Sequence, residues 1–297
     1  MGTIEPTDGE LFERVRAGDR AALELLLERH EPAVLRFGMQ MCGDVEDARD
    51  VLQETLLAAA RTAPEFRGDA SVSSWLYAIA RSFCIKKRRR RKDAPARVES
   101  LDALADGEAA VIPDAGRGPD EALHDRRVGE ALREAIAALD PGQREVLVLR
   151  DVEGLTAPEV AEVTGLKVEA VKSRLHRARL AVRERIAPLL GLGPEPAAVA
   201  TEPRAPGAGC PDVLSLLSQH LEGDIGPSVC AQMEAHVAAC PRCRHACDSL
   251  KRAVAICRST PSPTVPTELR ASIRRAVREL RATAVPDAVS PRLRRSD

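Results

Sequence analysis

The densest chemistry in the sequence lies towards its C-terminal end, where six of the eight cysteines fall between Cys210 and Cys257. His236-x-x-x-Cys240-x-x-Cys243 puts an imidazole and a thiol one helical turn apart, and Pro241 turns the chain so that Cys243 can return to the same point. With Cys210 from a preceding segment, these side chains supply three thiolates and one imidazole, the donor set of a closed tetrahedral zinc site. A site filled by four protein ligands has no position left for a substrate or an activated water. The competing expectation is reduced, unliganded thiols. Cys230, Cys247, Cys257, His220 and His245 exceed what one such site needs. Either Cys247 and Cys257 are apolar positions of a packed helix, or the surplus serves a second metal or redox function. Cys42 and Cys84 stand alone and read as small buried hydrophobes. Residues Met1 to Asp8 carry no basic, apolar leader and no run of eighteen apolar residues occurs, so a cytoplasmic protein without a membrane span is expected. In that compartment a cysteine cluster favours metal or redox chemistry over a disulfide framework.

A second chemistry is electrostatic. The net charge of −1 hides strong segregation. Arg81 to Lys92 holds eight Lys or Arg and no acid, whereas Asp93 to Glu121 holds eight acids against two arginines. Another basic stretch runs from Lys167 to Arg185. Paired basic helices flanking an acidic tether suggest a nucleic-acid partner, against the blander alternative of solvated faces. Four of the six aromatic residues, Phe66, Trp75, Tyr77 and Phe83, lie directly before or within the first basic run. Their faces could stack on unpaired bases while Arg88 and Arg89 follow the backbone; alternatively Trp75 and Tyr77 fill a core. No nucleophile–base–orienter set and no phosphate-binding glycine loop appears, so neither an enzyme nor an organic cofactor is expected.

The elements that must position these groups are helical. With 44% hydrophobic but only 2% aromatic residues, cores of Leu, Val and Ala between helices are expected. No alternating β-branched run signals a strand. The fold class is therefore all-α. Asp19 can cap a helix from Arg20 that Pro32 interrupts, and Asp44 caps the next. Asp140-Pro141-Gly142-Gln143 and Thr156-Ala-Pro-Glu159 are two further helix starts, the second a capping box. The short helix it opens stops at Thr164-Gly165, and another begins near Val168. Two helices joined by a tight glycine turn form a helix-turn-helix. In the second, Val168, Val171, Leu175, Ala178 and Val182 make one buried stripe. Lys172, Ser173, His176 and Arg177 share the face that a recognition helix offers to the major groove, with Arg174, Arg179 and Arg183 placed for phosphates. Composition shifts divide the chain into residues 1–92, an acidic linker 93–125, a second helical block 126–192, a tether 193–209, a Cys-rich module 210–258 and a basic, partly disordered tail 259–297 with one short helix.

On these residues the sequence resembles a family. Glu145-Val-Leu-Val-Leu-Arg150, Glu153-Gly-Leu-Thr156 and Val171-Lys-Ser-Arg-Leu-His-Arg-Ala-Arg179 look like region 4 of the sigma-70 factors of the extracytoplasmic-function group. Asp44-Val-Glu-Asp-Ala-Arg-Asp-Val-Leu-Gln-Glu54 and Ser74-Trp-Leu-Tyr-Ala-Ile-Ala-Arg81 are similar to region 2. The resemblance implies a transcription initiation factor whose partners are core RNA polymerase and promoter DNA. It implies polymerase docking through Asp50, Gln53 and Glu54, −10 opening by region 2, and −35 reading by region 4. Cys210 to Cys257 resembles a zinc-binding anti-sigma domain, which implies intramolecular contact with the sigma domains. The alternative is a helix-turn-helix regulator with a metal-sensing domain that does not act as a sigma factor.

Overall fold

The computed structural model describes residues 5–66, 68–93, 119–191 and 210–283. Most of the acidic linker, the tether 193–209 and the end of the basic tail therefore lie outside the described residues. Among those described, every regular element is helical, and no helix is long and apolar enough to cross a membrane.

The first block holds α1 (Asp8–Arg16), α2 (Arg20–Cys42), α3 (Val45–Thr62) and α4 (Val72–Asp93). Asp19 accepts from the Ala21 and Ala22 amides to start α2, and Asp44 accepts from Asp47 to start α3. Contrary to the sequence expectation, α2 runs unbroken through Pro32. An interior proline costs about 3 kcal/mol through its missing hydrogen bond and ring clash. Leu26, Leu27, Val34, Leu35 and Phe37 on either side are all buried in one core. At roughly 1.5–3 kcal/mol per buried side chain, that packing outweighs the break.

The second block begins earlier than composition suggests, because α5 spans Pro119–Ala137 and so starts inside the stretch read as linker. Proline at the first helical position already has the required φ and loses no intrahelical bond there. After α6 (Pro141–Leu147) the chain makes a π-helical turn, Val148–Val152, which the sequence does not signal. The turn buries Val148, Leu149 and Val152 and, with Glu153 just after it, offers Arg150, Asp151 and Glu153 to three different neighbours. The helix-turn-helix is α7 (Ala157–Thr164) and α8 (Val168–Ile186). Thr156 and Glu159 form the expected capping box, and Gly165 closes α7 at φ 72°, a left-handed conformation suited to glycine. Lys167 stands at the N-cap of α8 without a side-chain cap bond.

The C-terminal module comprises α9 (Val213–Leu221), α10 (Pro227–Ala239) and α11 (Pro241–Arg258), followed by α12 (Thr267–Thr283). Its own small core is Val213, Leu217, Met233, Cys243, Cys247, Leu250 and Val254. Cys257, and Val265, Ile273 and Val277 on and before α12, belong instead to the larger core shared by the first two blocks. The C-terminal third is thus packed against both of them.

Candidate nucleic-acid interface and metal centre

The four expected metal ligands converge. Cys210 precedes α9, His236 lies in the last turn of α10, Cys240 joins α10 to α11, and Cys243 sits in the first turn of α11. Their ligand atoms all lie within 4.8 Å of one another, with His236 Nε2 3.2 Å from Cys243 Sγ. The Cys243 backbone N–H donates to the Cys240 sulfur and lowers its pKa, whereas burial pushes the Cys243 thiol up to about 12. An S₃N set this tight fits a borderline-soft ion in tetrahedral coordination. Among the surplus thiols, Cys247 and Cys257 are each 2% exposed and packed in the cores, the positions of apolar residues. Cys42 and Cys84 are neighbours in the first block, their sulfurs 3.4 Å apart.

On α8, Val171, Leu175, Ala178 and Val182 are buried as the stripe requires, Ser173 and Arg177 are exposed, and Lys172, Arg174 and His176 are half-buried. The half-burial has a specific cause. Lys172 Nζ pairs with Asp224 Oδ1 at 2.6 Å, and His176 Nδ1 lies 2.9 Å from Ser218 Oγ. Arg183 Nε donates to Ser249 Oγ at 2.8 Å. The side of α8 expected to meet DNA is therefore engaged, at Lys172 and His176, by the C-terminal module of the same chain.

Arg179 departs from its expected phosphate-facing place. Its side chain is 1% exposed and makes a two-pronged pair with Asp151, 2.8 and 2.7 Å, while Nη2 also reaches Glu222 at 2.8 Å. Arg150 Nε holds the other Glu222 oxygen at 2.9 Å. The sequence reading placed Arg179 for phosphates; the π-helical turn brings Asp151 beneath it, and the guanidinium is held inward.

In the first block Asp50 is exposed and pairs with Lys87, and Gln53 and Glu54 are half-buried. Trp75 and Phe66 are half-buried and stacked on each other at 4.8 Å, with Phe12 edge-on to Phe66 at 4.7 Å. Arg88 is half-buried and Arg89 exposed. Of the two expectations for Tyr77, the core position holds and the stacking role does not: it is 4% exposed, and its hydroxyl donates to Glu153 Oε2 at 2.6 Å. Burial, then the Glu153 carboxylate, raises the Tyr77 pKa.

Glu153 is a junction that sequence reasoning missed. Its side chain is fully buried and accepts two bonds from Arg36, 2.9 and 2.7 Å, besides the Tyr77 hydroxyl. Arg36 also donates to the Thr260 carbonyl and to Ser262 Oγ, so one guanidinium ties together both sigma-like blocks and the segment before α12. Arg81–Glu145 and Ser71–Glu159 add to the contact between the two blocks. Along α12, Arg270, Arg274 and Arg278 pair with Glu31, Glu28 and Glu24 of α2. Both stripes have helical spacing in the sequence, the one signal by which this docking could have been found.

Comparison with known proteins assigns the segments to families. The Sigma-70 region 2 family matches residues 26–94, the "Sigma-70, region 4" family residues 129–182, and the "Putative zinc-finger" family residues 210–244. The chain is 32% identical to the RNA polymerase sigma-H factor of Pseudomonas aeruginosa over 187 residues, 62% of this chain and 95% of that one. It is 35% identical to the ECF RNA polymerase sigma factor SigM of Mycobacterium tuberculosis over 191 residues, 64% of this chain and 88% of that one. A solved structure of CnrH in complex with the cytosolic domain of CnrY aligns at 26% identity and TM-score 0.42, covering 62% of this chain and 97% of that one. These matches make the chain a sigma-70-type factor, a non-enzymatic subunit that directs transcription initiation through core RNA polymerase and promoter DNA. More narrowly, the chain belongs to the extracytoplasmic-function sigma factors and carries a zinc-finger motif after region 4.

Proposed function

We propose that this is a cytoplasmic sigma factor regulated in cis, with its zinc-bearing C-terminal module holding the DNA-binding face of region 4 closed. In the open form, region 2 docks on core polymerase through Asp50, Gln53 and Glu54. Phe66 and Trp75 stack on the opened −10 strand while Arg88 and Arg89 follow its backbone. Region 4 reads the −35 element through Lys172, Ser173, His176 and Arg177, with Arg174 on phosphate. Tyr77 joins the stacking set only when Glu153 releases it. Zinc, held by Cys210, His236, Cys240 and Cys243, would fix α10 against α11 and so present the α9–α10 turn; the ion supplies structure, with no vacant coordination position for catalysis.

The observation that carries this reading is the occupation of Lys172 by Asp224 and of His176 by Ser218. Lys172 and Asp224 are each about a third exposed, and pairs of this kind contribute only about 0.2–1 kcal/mol. That pair masks Lys172 weakly, whereas Glu222 on Arg150 and Arg179 supplies the stronger hold on the module. The test is promoter-specific transcription with core polymerase, comparing the full chain, its Asp224→Lys variant and a chain ending after Leu190. Higher output from both altered forms supports inhibition in cis. Lost output from both means that the module is required for activity, and unchanged output means that it does not regulate this factor.

A further inference from the structure

Cys230 is a surplus thiol that no core explains. Cys243, Cys247 and Cys257 are buried among apolar side chains, whereas Cys230 is half-buried on the outer side of the module and belongs to neither hydrophobic cluster. It lies in the first turn of α10, with Glu234 one turn further along the same face, and His220 approaches from the last turn of α9. Cys230 Sγ is 3.5 Å from His220 Nδ1 and 3.6 Å from Glu234 Oε1. Tetrahedral coordination with metal–sulfur bonds near 2.3 Å and metal–nitrogen or metal–oxygen bonds of 2.0–2.2 Å separates ligand atoms by about 3.6 Å. Both separations around the sulfur already have that value. His220 and Glu234 are exposed, so an ion enters from solvent; the two edges at the sulfur are in place, and the carboxylate must turn towards the imidazole to close the third.

We propose that Cys230, His220 and Glu234 form a second metal site, distinct from the Cys₃His centre, for a borderline-soft divalent cation of the zinc, cobalt or cadmium type. One thiolate excludes the hard cations, which prefer all-oxygen ligands. Three protein ligands leave a fourth position to water, so this ion is held more weakly and exchanges more readily than one in the closed S₃N site. Binding displaces one proton, from the Cys230 thiol.

The site also adjoins the contact with region 4. The Gly223 and Asp224 amides donate to the His220 and Gln219 carbonyls at 3.0 and 2.9 Å, forming the turn from which Glu222 reaches Arg150 and Arg179 and Asp224 reaches Lys172. Drawing His220 onto a metal therefore acts on that turn, a coupling that rests on the cis-regulated reading above. The site itself does not depend on it.

The test is a cobalt(II) titration of the reduced full chain under anaerobic conditions, read by thiolate-to-cobalt charge-transfer absorption and by metal count in native mass spectrometry. Two equivalents are expected, the second weaker. Cys230→Ser and His220→Ala should each lose the second and keep the first. Glu234→Gln should weaken the second by roughly tenfold or more, since even an outer-shell partner's loss costs that much. A single equivalent in the unaltered chain, or a second that survives Cys230→Ser, overturns the site. Neither readout involves DNA or polymerase, so failure of the cis-regulated reading leaves the metal count unchanged. Cobalt should shift transcription by the unaltered chain and not by Cys230→Ser; an unshifted unaltered chain overturns the coupling alone.

Discussion

Replacing Arg179 should unfold region 4 locally before it alters any contact with DNA. The guanidinium is 1% exposed and the Asp151 carboxylate fully buried, joined by two bonds of 2.7 and 2.8 Å. Arg179→Met removes the cation and leaves Asp151 charged, buried and without its partner, whereas Glu222 keeps Arg150. Breaking a buried pair in this way costs about 3–5 kcal/mol. Converting both partners, Arg179→Met with Asp151→Leu, should recover most of that loss, because Asp151 no longer carries an unpaired buried charge and Glu222 keeps Arg150. The assay is amide hydrogen exchange in α6 and α8 of the full chain, which reads region 4 separately from the other units, together with −35 duplex binding as a function of salt. The reasoning predicts lost protection in the single variant, recovery in the double, and an unchanged salt slope in the fraction that remains folded. A phosphate-contacting arginine would instead lower that slope by about one and leave exchange untouched. That second pattern would refute the buried-pair assignment.

Thr156→Ala should destabilise the helix-turn-helix by about 1 kcal/mol, measured by urea unfolding followed through α7 exchange. Glu159, the reciprocal cap, is partly desolvated, yet bonds from Thr156 and Ser71 hold its pKa below the usual carboxylate value of 4.5. A depressed carboxylate stabilises the fold fully above that value, so the contribution should persist at neutral pH and disappear only as pH falls through the lowered pKa. Chelation or mild acid should strip metal from the Cys₃His centre and reduce helicity in α10 and α11, and Cys240→Ser should lose that metal while Cys257→Ser retains it. Val277→Asp, which places a charge at a position 3% exposed between α12 and the first block, should release α12 and expose its backbone to limited proteolysis. Single changes in the arginine stripe should do far less, since surface pairs contribute about 0.2–1 kcal/mol each. Asp50→Ala with Gln53→Ala should abolish polymerase binding, and wild-type affinity would remove these residues from the docking surface.

Local order was readable wherever one short segment determines it. Thr156 and Glu159, or Asp44 and Asp47, need only their own turn to act, and the valine and leucine stripe of α8 states its buried face by spacing alone. The Cys₃His cluster was readable for a related reason: three of its four side chains lie within eight residues, and only Cys210 comes from elsewhere. Pro32 was misjudged because a local penalty was weighed without the core on both sides of it. Arg179 was misplaced, and Tyr77 was left open between stacking and a core, because their environments are set by distant residues. Asp151 lies beneath Arg179 through a π-helical turn that no residue type announces, and Glu153 receives Tyr77 across an interface between blocks.

The inhibitory sign of the proposed regulation follows from what the module and DNA both demand of α8. A carboxylate on Lys172 makes the same kind of charge-assisted bond that a phosphate oxygen or a guanine acceptor would make. In the proposed reading Asp224 therefore does more than block space: it competes with DNA for the Lys172 ammonium. Ser218 stands in the same relation to His176, while Glu222 reaches past the surface to the buried Arg179 and anchors the module through a residue that DNA does not need. This division separates holding from masking. Loss of Glu222 should free the module while leaving the α8 surface chemically intact, whereas loss of Asp224 should unmask Lys172 while the module stays docked. Glu222→Gln and Asp224→Asn, compared by −35 duplex affinity and by exchange in α9, should raise DNA affinity by these two routes, with exchange in α9 rising only for Glu222→Gln. Equal exchange in both variants would show that holding and masking are one interaction.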